Sequence, residues 1–449
     1  MDTDSSHSSN DSDYIPELVA SIQTRKRHRT PGSRKQKKRD TSSDSIQISP
    51  HPPVRLPVDV LVIIFQYIVT EIGPFLALKR YGLICKEWRQ ALLENKLWHS
   101  VSLDGNESWL DVGRALKWLC TYKSFTVSVL ALSRWRPGHH QSGFAHLLQI
   151  CTQVKSVRFD NCVLKFDEVF KHFNKLEKLI IARCSVKSFN ELFRDGKVML
   201  HWLSLGQVGG CICQSLLKCD SPLLNLHTLQ LDNFFRHKVD SINLLQRMCP
   251  NVRALKVYFA NDEYIDPKPC ELEQTGFLNL VYLELCFDSC FDYSYNTWEN
   301  NILCLTLSSS PYLKSLKLLY YTSWEYDQLV SLISCNLQEL DLHHCSVNFS
   351  LFIRKLVQTC SSLQRLTIAS PKQGTATDDV INILVSSPVI NTLTHVDLTG
   401  TEVTGDEIKQ LLKCSHCLTY LNLLSCRNLP RGTKRIYSDA ELSKLSRVL

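Results

Sequence analysis

The stretch LQELDLHHCSVNFSLFIRKLVQTC, Leu337 to Cys360, holds one complete unit of the fold. Its first six residues place leucines at 337, 340 and 342. The last two are two positions apart, the period of an extended strand whose alternate side chains share a face. The segment FIRKLVQTC (Phe352 to Cys360) then changes to a helical pattern, and at Leu363 the first motif begins again as LQRLTI. A strand followed by a helix, repeated, is the unit.

Working outward, the same six-residue motif is found as VKSVRF (Val154), LEKLII (Leu176), LHWLSL (Leu200), LHTLQL (Leu226), VRALKV (Val252) and LVYLEL (Leu280). It continues as LKSLKL (Leu313), LTHVDL (Leu393) and LTYLNL (Leu418), with looser copies at Val101–Leu103 and around Phe125 to Leu132. Steps between the regular copies run from 22 to 33 residues. That spacing is the signature of leucine-rich repeats and predicts an α/β solenoid, a horseshoe of about a dozen units. Residues beside the last leucine of each motif are expected on the concave face. The middle repeats place Lys256, Tyr258, Glu284, Lys317, Asp341 and His343 there, with Tyr320, Phe259, Phe287 and Tyr321 nearby. Aromatic residues among mixed charges are the composition of interface hot spots, so a substrate surface is expected over residues 256 to 343. The longer connections at 260–279 and 288–303 are expected to form its lip.

The 19 cysteines fit this frame. Cys151, Cys249, Cys335, Cys360 and Cys414 each close a helical segment. Cys162, Cys184, Cys345 and Cys426 follow strands, where a buried thiol can donate to a turn carbonyl. The odd count fits no closed disulfide framework. Two clusters compete for a metal reading, Cys211–Cys213–Cys219 and Cys414–His416–Cys417, but neither has a second pair at zinc spacing, so no metal is expected. His343–His344 reads as a surface pair rather than as chemistry, and no cofactor or catalytic motif is found.

Residues 1–53 differ in kind, being rich in Ser, Asp, Lys and Arg with few large apolar groups, which predicts a disordered tail. Its basic clusters, Arg25, Lys26, Arg27 and Arg29, then Arg34, Lys35, Lys37, Lys38 and Arg39, read as a bipartite nuclear localisation signal, a plain solvated tail being the alternative. The acidic opening MDTDSSHSSNDSD is no signal peptide, and no apolar run reaches the ~18–20 residues of a membrane span. A nuclear and cytoplasmic protein away from membranes is expected. The formal charge of +7 is unevenly spread, with basic residues concentrated in the stretch from Arg25 to Arg39, which argues against nucleic acid as the partner of the repeats.

Between tail and repeats, LPVDVLVIIFQYIV from Leu56 starts a helix with Pro57 in its first turn and Val60, Leu61, Ile64, Phe65 and Ile68 as an apolar stripe. A second helical pattern follows Gly73-Pro74 and carries Leu76 through Leu92, and a short third element ends at Leu97-Trp98. The unit exposes more apolar surface than it can hide and needs a partner. Leu56-Pro57, Ile64-Phe65, Cys85-Lys86, Trp88, Leu92 and Leu97-Trp98 stand in the order and spacing of the F-box. With the repeats behind it, the chain resembles the F-box/leucine-rich-repeat family from Leu56 onward, with a longer link between the first two helices.

The resemblance implies four regions: a tail (1–53), an all-α F-box (54–100), repeats (101–430) and a C-terminal cap (431–449). It implies docking on the S-phase-kinase-associated adaptor protein, and through it on a cullin scaffold and a RING subunit. The contacts would be Leu56, Pro57, Leu61, Ile64, Phe65, Cys85, Trp88 and Trp98, with a protein substrate on the repeats. Such a subunit is a non-catalytic adaptor of a ubiquitin ligase. A nuclear leucine-rich-repeat scaffold acting outside the ligase is the rival reading.

Overall fold

The computed structural model describes residues 56–122, 126–137, 142–187, 189–193, 199–208, 222–234, 245–259, 277–287, 303–304, 306–322, 330–371, 379–432 and 434–448. The N-terminal tail with its basic clusters, Cys211, Cys213 and Cys219, and nearly all of the two long connections lie outside the described residues.

Helix α1 (Val58–Ile72) starts from Pro57 at its N-cap and stops at Gly73, whose φ of 78° lets its N–H return to the Val69 carbonyl at 2.8 Å. Pro74 then opens α2 (Pro74–Tyr81), which turns 119° from α1. The single second helix expected after Gly73 is in fact two. Gly82 ends α2, and α3 (Lys86–Leu92) begins afresh with the Cys85 sulfur accepting the Trp88 N–H at 3.4 Å. No single described helix is long and apolar enough to cross a membrane.

The strands run β1 (Ser100–Asp104), β2 (Val129–Ser133), β3 (Ser156–Asp160), β4 (Lys178–Ala182), β5 (Trp202–Gly206), β6 (Thr228–Phe234) and β7 (Ala254–Phe259). They continue as β8 (Tyr282–Cys286), β9 (Ser315–Leu319), β10 (Glu339–His343), β11 (Arg365–Ala369), β12 (His395–Asp397), β13 (Tyr420–Asn422) and β14 (Ile436–Ser438). Among the described residues these form one sheet in sequence order, parallel throughout until β14 turns back antiparallel to β13. Consecutive parallel strands joined by crossovers are the solenoid read from the leucine spacing. Outer helices include α4 (Val112–Thr121), α5 (Ser142–Cys151) and, near the end, α6 (Phe349–Thr359).

Burial follows the motif. Leu203 and Leu205, Leu255 and Val257, Leu316 and Leu318, and Leu340 and Leu342 are all 0–1% exposed, while the residues between them are half-buried or lie against their neighbours. Many of the strands are followed by a residue in the left-handed region: Arg134, Asn161, Arg183, Gln207, Tyr320, His344, Ser370 and Ser425 at φ 48–59°, with Gly400 in the same place. The left-handed backbone costs about 1–2 kcal/mol per non-glycine residue. It is offset by a hydrogen bond to the next strand, as when the N–H of Arg134 reaches the Asp160 carbonyl at 2.7 Å and that of His344 reaches Ala369 at 2.9 Å.

One residue further on sit the cysteines. Their buried thiols donate to carbonyls of the preceding repeat: Cys162 to Leu132 (3.3 Å), Cys345 to Leu318 (3.3 Å) and Cys426 to Leu398 (3.1 Å). Every described cysteine is a free thiol, and among the described residues no three His, Cys, Asp or Glu converge as metal ligands.

Candidate functional site

Two surfaces stand out, one at the helical unit and one on the concave sheet. In the helical unit, Phe65 is 1% exposed and packs edge-on against Trp88 at 5.3 Å, with Tyr81 at 6.1 Å from Phe65 and 6.2 Å from Trp88. Leu61 is buried beside it. Trp98 is completely buried, donates its indole N–H to the Leu92 carbonyl at 2.8 Å, and meets Phe75 at 4.9 Å and Trp118 of α4 at 4.8 Å. Leu61, Phe65 and Trp98 are therefore interior residues and not contact residues, which corrects the docking set. Trp98 joins the helical unit to the first repeat, so the two share one core.

Cys85 and Trp88 are half-buried. Leu56, Pro57 and Ile64 lie at the surface, as a contact set requires. Around them the structure adds residues that the motif does not single out: Val60, Ile63 and Tyr67 on the same side of α1, and Leu83 and Ile84 on the α2–α3 link. Ile63 is 55%, Tyr67 75% and Leu83 63% exposed. Positions 56, 60, 63, 64 and 67 follow the helical period, so they form a stripe. A soluble surface rarely leaves so many large apolar side chains together unless something covers them.

On the concave face, Glu284 is the centre of the middle repeats. It is 4% exposed, yet charged groups are seldom buried unpaired. Tyr258 donates its hydroxyl at 2.5 Å, Tyr282 donates to the other oxygen, and the Lys256 ammonium lies 3.0 Å away and over the Tyr282 ring. Burial pushes the Glu284 carboxyl up, but these three partners outweigh it and hold it below the usual range. Burial and the bond to Glu284 drive both phenols upward.

Next along, Lys317 pairs with Asp341 at 3.6 Å, and the His343 ring stands 3.6 Å from the other Asp341 oxygen, too far to hydrogen-bond. That oxygen is buried without a donor, and burial raises the Asp341 carboxyl against the pull of Lys317 and His343. Tyr320 stacks on His344 at 4.9 Å. The structure thus brings Lys256, Tyr258, Glu284, Lys317, Asp341 and His343 onto one face, with Tyr320 and His344 at its edge.

Three expected aromatic contacts are core instead. Phe259, Phe287 and Tyr321 are 0–5% exposed, with Phe259 stacked on Phe287 at 5.3 Å. A further row goes unread in the motif, the first residue of each strand. It contributes Lys178, Trp202, Tyr282, Glu339, Arg365, His395 and Tyr420, which share the face by the two-residue period. The Lys178 ammonium lies 4.0 Å from the Trp202 ring centre. The signal was available: the residue before the second leucine alternates with it.

Against known families, residues 54–104 match the F-box-like model, and residues 326–443 match the model described as FBD-associated F-box protein At5g56370, LRR repeats. The chain is a leucine-rich-repeat solenoid with an F-box-like helical unit at its N-terminal end. This is the domain combination of the F-box/leucine-rich-repeat proteins. Similar solved structures include an internalin (inlF) from Listeria monocytogenes str. 4b F2365, at 14% identity and a TM-score of 0.42, covering 76% of this chain and 89% of that one. Another is the complex of Rad7 and Elc1 in yeast, at 15% identity and a TM-score of 0.43, covering 84% and 90%. No curated protein matches the chain by sequence.

Proposed function

We propose that this chain is the substrate-recognition subunit of a Skp–cullin–F-box ubiquitin ligase. The observation that carries the reading is the exposed apolar stripe of the F-box-like unit, Leu56, Val60, Ile63, Ile64, Tyr67, Leu83 and Ile84. An F-box-like domain implies an S-phase-kinase-associated adaptor as its partner, and this stripe is the surface left for it, while Trp98 and Trp118 tie the unit to the solenoid. A protein substrate occupies the concave face through Lys256, Tyr258, Lys317, Tyr320, Asp341 and His343, with Glu284 holding Lys256 and the two phenols in place. The chain does no chemistry of its own. Its contribution is positional, because a shared scaffold raises the effective concentration of a substrate lysine near the charged conjugating enzyme.

The test is recovery of the tagged chain from cells with its partners identified by mass spectrometry. The proposal expects the adaptor, a cullin and a RING subunit, all lost when Ile63→Asp and Tyr67→Ala are combined. Recovery of other nuclear proteins with no cullin would favour the scaffold reading. Replacing the basic residues of 25–29 and 34–39 with Ala is expected to reduce nuclear accumulation and to leave adaptor recovery unchanged.

A further inference from the structure

The charges of the concave face are nearly all matched in place. Lys256 belongs to Glu284, Lys317 to Asp341, and Arg365 lies 3.4 Å from Glu339. Asp232 on β6 has no such match. It is half-buried, and among the described residues its hydrogen-bond partner is the Gln230 amide at 3.2 Å, with no cation in ion-pair contact.

The ground beside it is bare. Gly206 carries no side chain, and a Cβ placed there would lie 2.8 Å from an Asp232 oxygen, so the carboxylate leans over β5 at this point. Ser204 precedes it on the same strand, and Ala182 is in register with Gly206 on β4. On the other side Tyr258 is in register with Asp232. Carboxylate, aromatic ring and a floor of small residues together suit a long side chain with a cationic head.

We propose that the β5–β7 section of the concave face receives a lysine or arginine side chain of the recruited protein, its head on Asp232 and its alkyl stem along Ser204, Gly206 and Tyr258. The inference rests on the concave face being the substrate surface and not on the ligase assembly. Burial holds the Asp232 carboxyl above its usual range, with Glu284 adding to it and Gln230 and Lys256 opposing, and a bound cation removes that strain. Charge-assisted hydrogen bonds are about twice as strong as neutral ones, which makes the pair a source of specificity.

The test uses the purified full chain and two fluorescein-labelled octapeptides, alternating Arg-Gly and alternating Glu-Gly, read by fluorescence anisotropy at fixed salt. The wild type is expected to bind the arginine peptide and to ignore the glutamate one. Asp232→Asn, which keeps the shape and removes the charge, is expected to weaken the arginine peptide by about ten-fold or more with no loss of thermal stability. Gly206→Val, which fills the floor, is expected to weaken it as well. Asp397→Asn is the control: this carboxylate faces the same surface but is held by Thr399 and Asn422, and its removal is expected to leave affinity unchanged. Equal binding by Asp232→Asn and wild type, no binding by the wild type, or equal loss in Asp397→Asn overturns the proposal. Adaptor binding by the same preparations is scored separately, so a failure of the F-box reading leaves the peptide result standing.

Discussion

Removing the Glu284 side chain is the most informative perturbation of the repeats. In Glu284→Ala the ammonium of Lys256, itself 32% exposed, and the hydroxyls of Tyr258 and Tyr282 lose their common acceptor. Breaking a buried ion pair by deleting one partner costs about 3–5 kcal/mol. Glu284→Gln retains an oxygen for one phenol and loses the charge, so about 1.5–3 kcal/mol is expected, the range of a charged hydrogen bond. The exposed pair of Lys409 with Asp406, where Asp406 is 95% exposed, supplies the contrast, and Asp406→Ala should change stability by no more than ~0.5 kcal/mol. The pH dependence follows from the depressed carboxyl of Glu284. Its stabilisation is present above the ordinary carboxylate range and is lost as pH falls through the lower folded value. Urea unfolding followed by circular dichroism at neutral and acid pH measures both. A Glu284→Ala protein within ~0.5 kcal/mol of wild type at neutral pH would show that the network does not hold the middle of the face together.

Other outcomes follow from burial. Trp98→Ala should cost about 3–5 kcal/mol and let the helical unit unfold ahead of the repeats, seen as a separate early transition in a denaturant titration; one unshifted transition contradicts a shared core. Leu255→Ala, fully buried on β7, should destabilise by about 2–5 kcal/mol, measured by the same titration. In alkylation followed by mass spectrometry, exposed Cys335 and Cys417 should react first. Cys151 should react only on unfolding, because burial raises its thiol far above the usual range; early labelling there would contradict the packing.

The strands are legible in the sequence because each buries two apolar residues with one residue between them, and a slip of one residue would turn both to solvent. The cysteine turns are legible for a related reason, since a small thiol follows the left-handed residue at Asn161-Cys162, Arg183-Cys184, His344-Cys345 and Ser425-Cys426. What the pattern hides is the direction of side chains beyond the motif. Phe259 and Phe287 read as lying beside the concave face but are buried and stack on each other, because they continue the alternation that turns Leu255 and Val257, and Leu283 and Leu285, inward. Lys256 reads as a free surface charge, and only the packing of adjacent repeats shows that it serves Glu284. In the helical unit, a stripe of apolar residues does not say which member faces the other helices. Phe65 and Ile64 are neighbours in sequence, yet Phe65 is 1% and Ile64 40% exposed, and that division depends on where Trp88 lands.

The claim that the F-box-like unit presents an adaptor surface is tested most directly by calorimetric titration of purified S-phase-kinase-associated adaptor into the purified chain. Interface hot spots cost at least about 2 kcal/mol each when truncated, and every 1.4 kcal/mol is ten-fold in affinity. Ile63→Asp combined with Tyr67→Ala should therefore weaken binding by about a hundred-fold or more, while unfolding stays at the wild-type midpoint because both side chains are more than half exposed. Asp232→Asn should bind the adaptor like the wild type. Undiminished affinity in the Ile63/Tyr67 double variant, or no binding by the wild-type chain, contradicts the account.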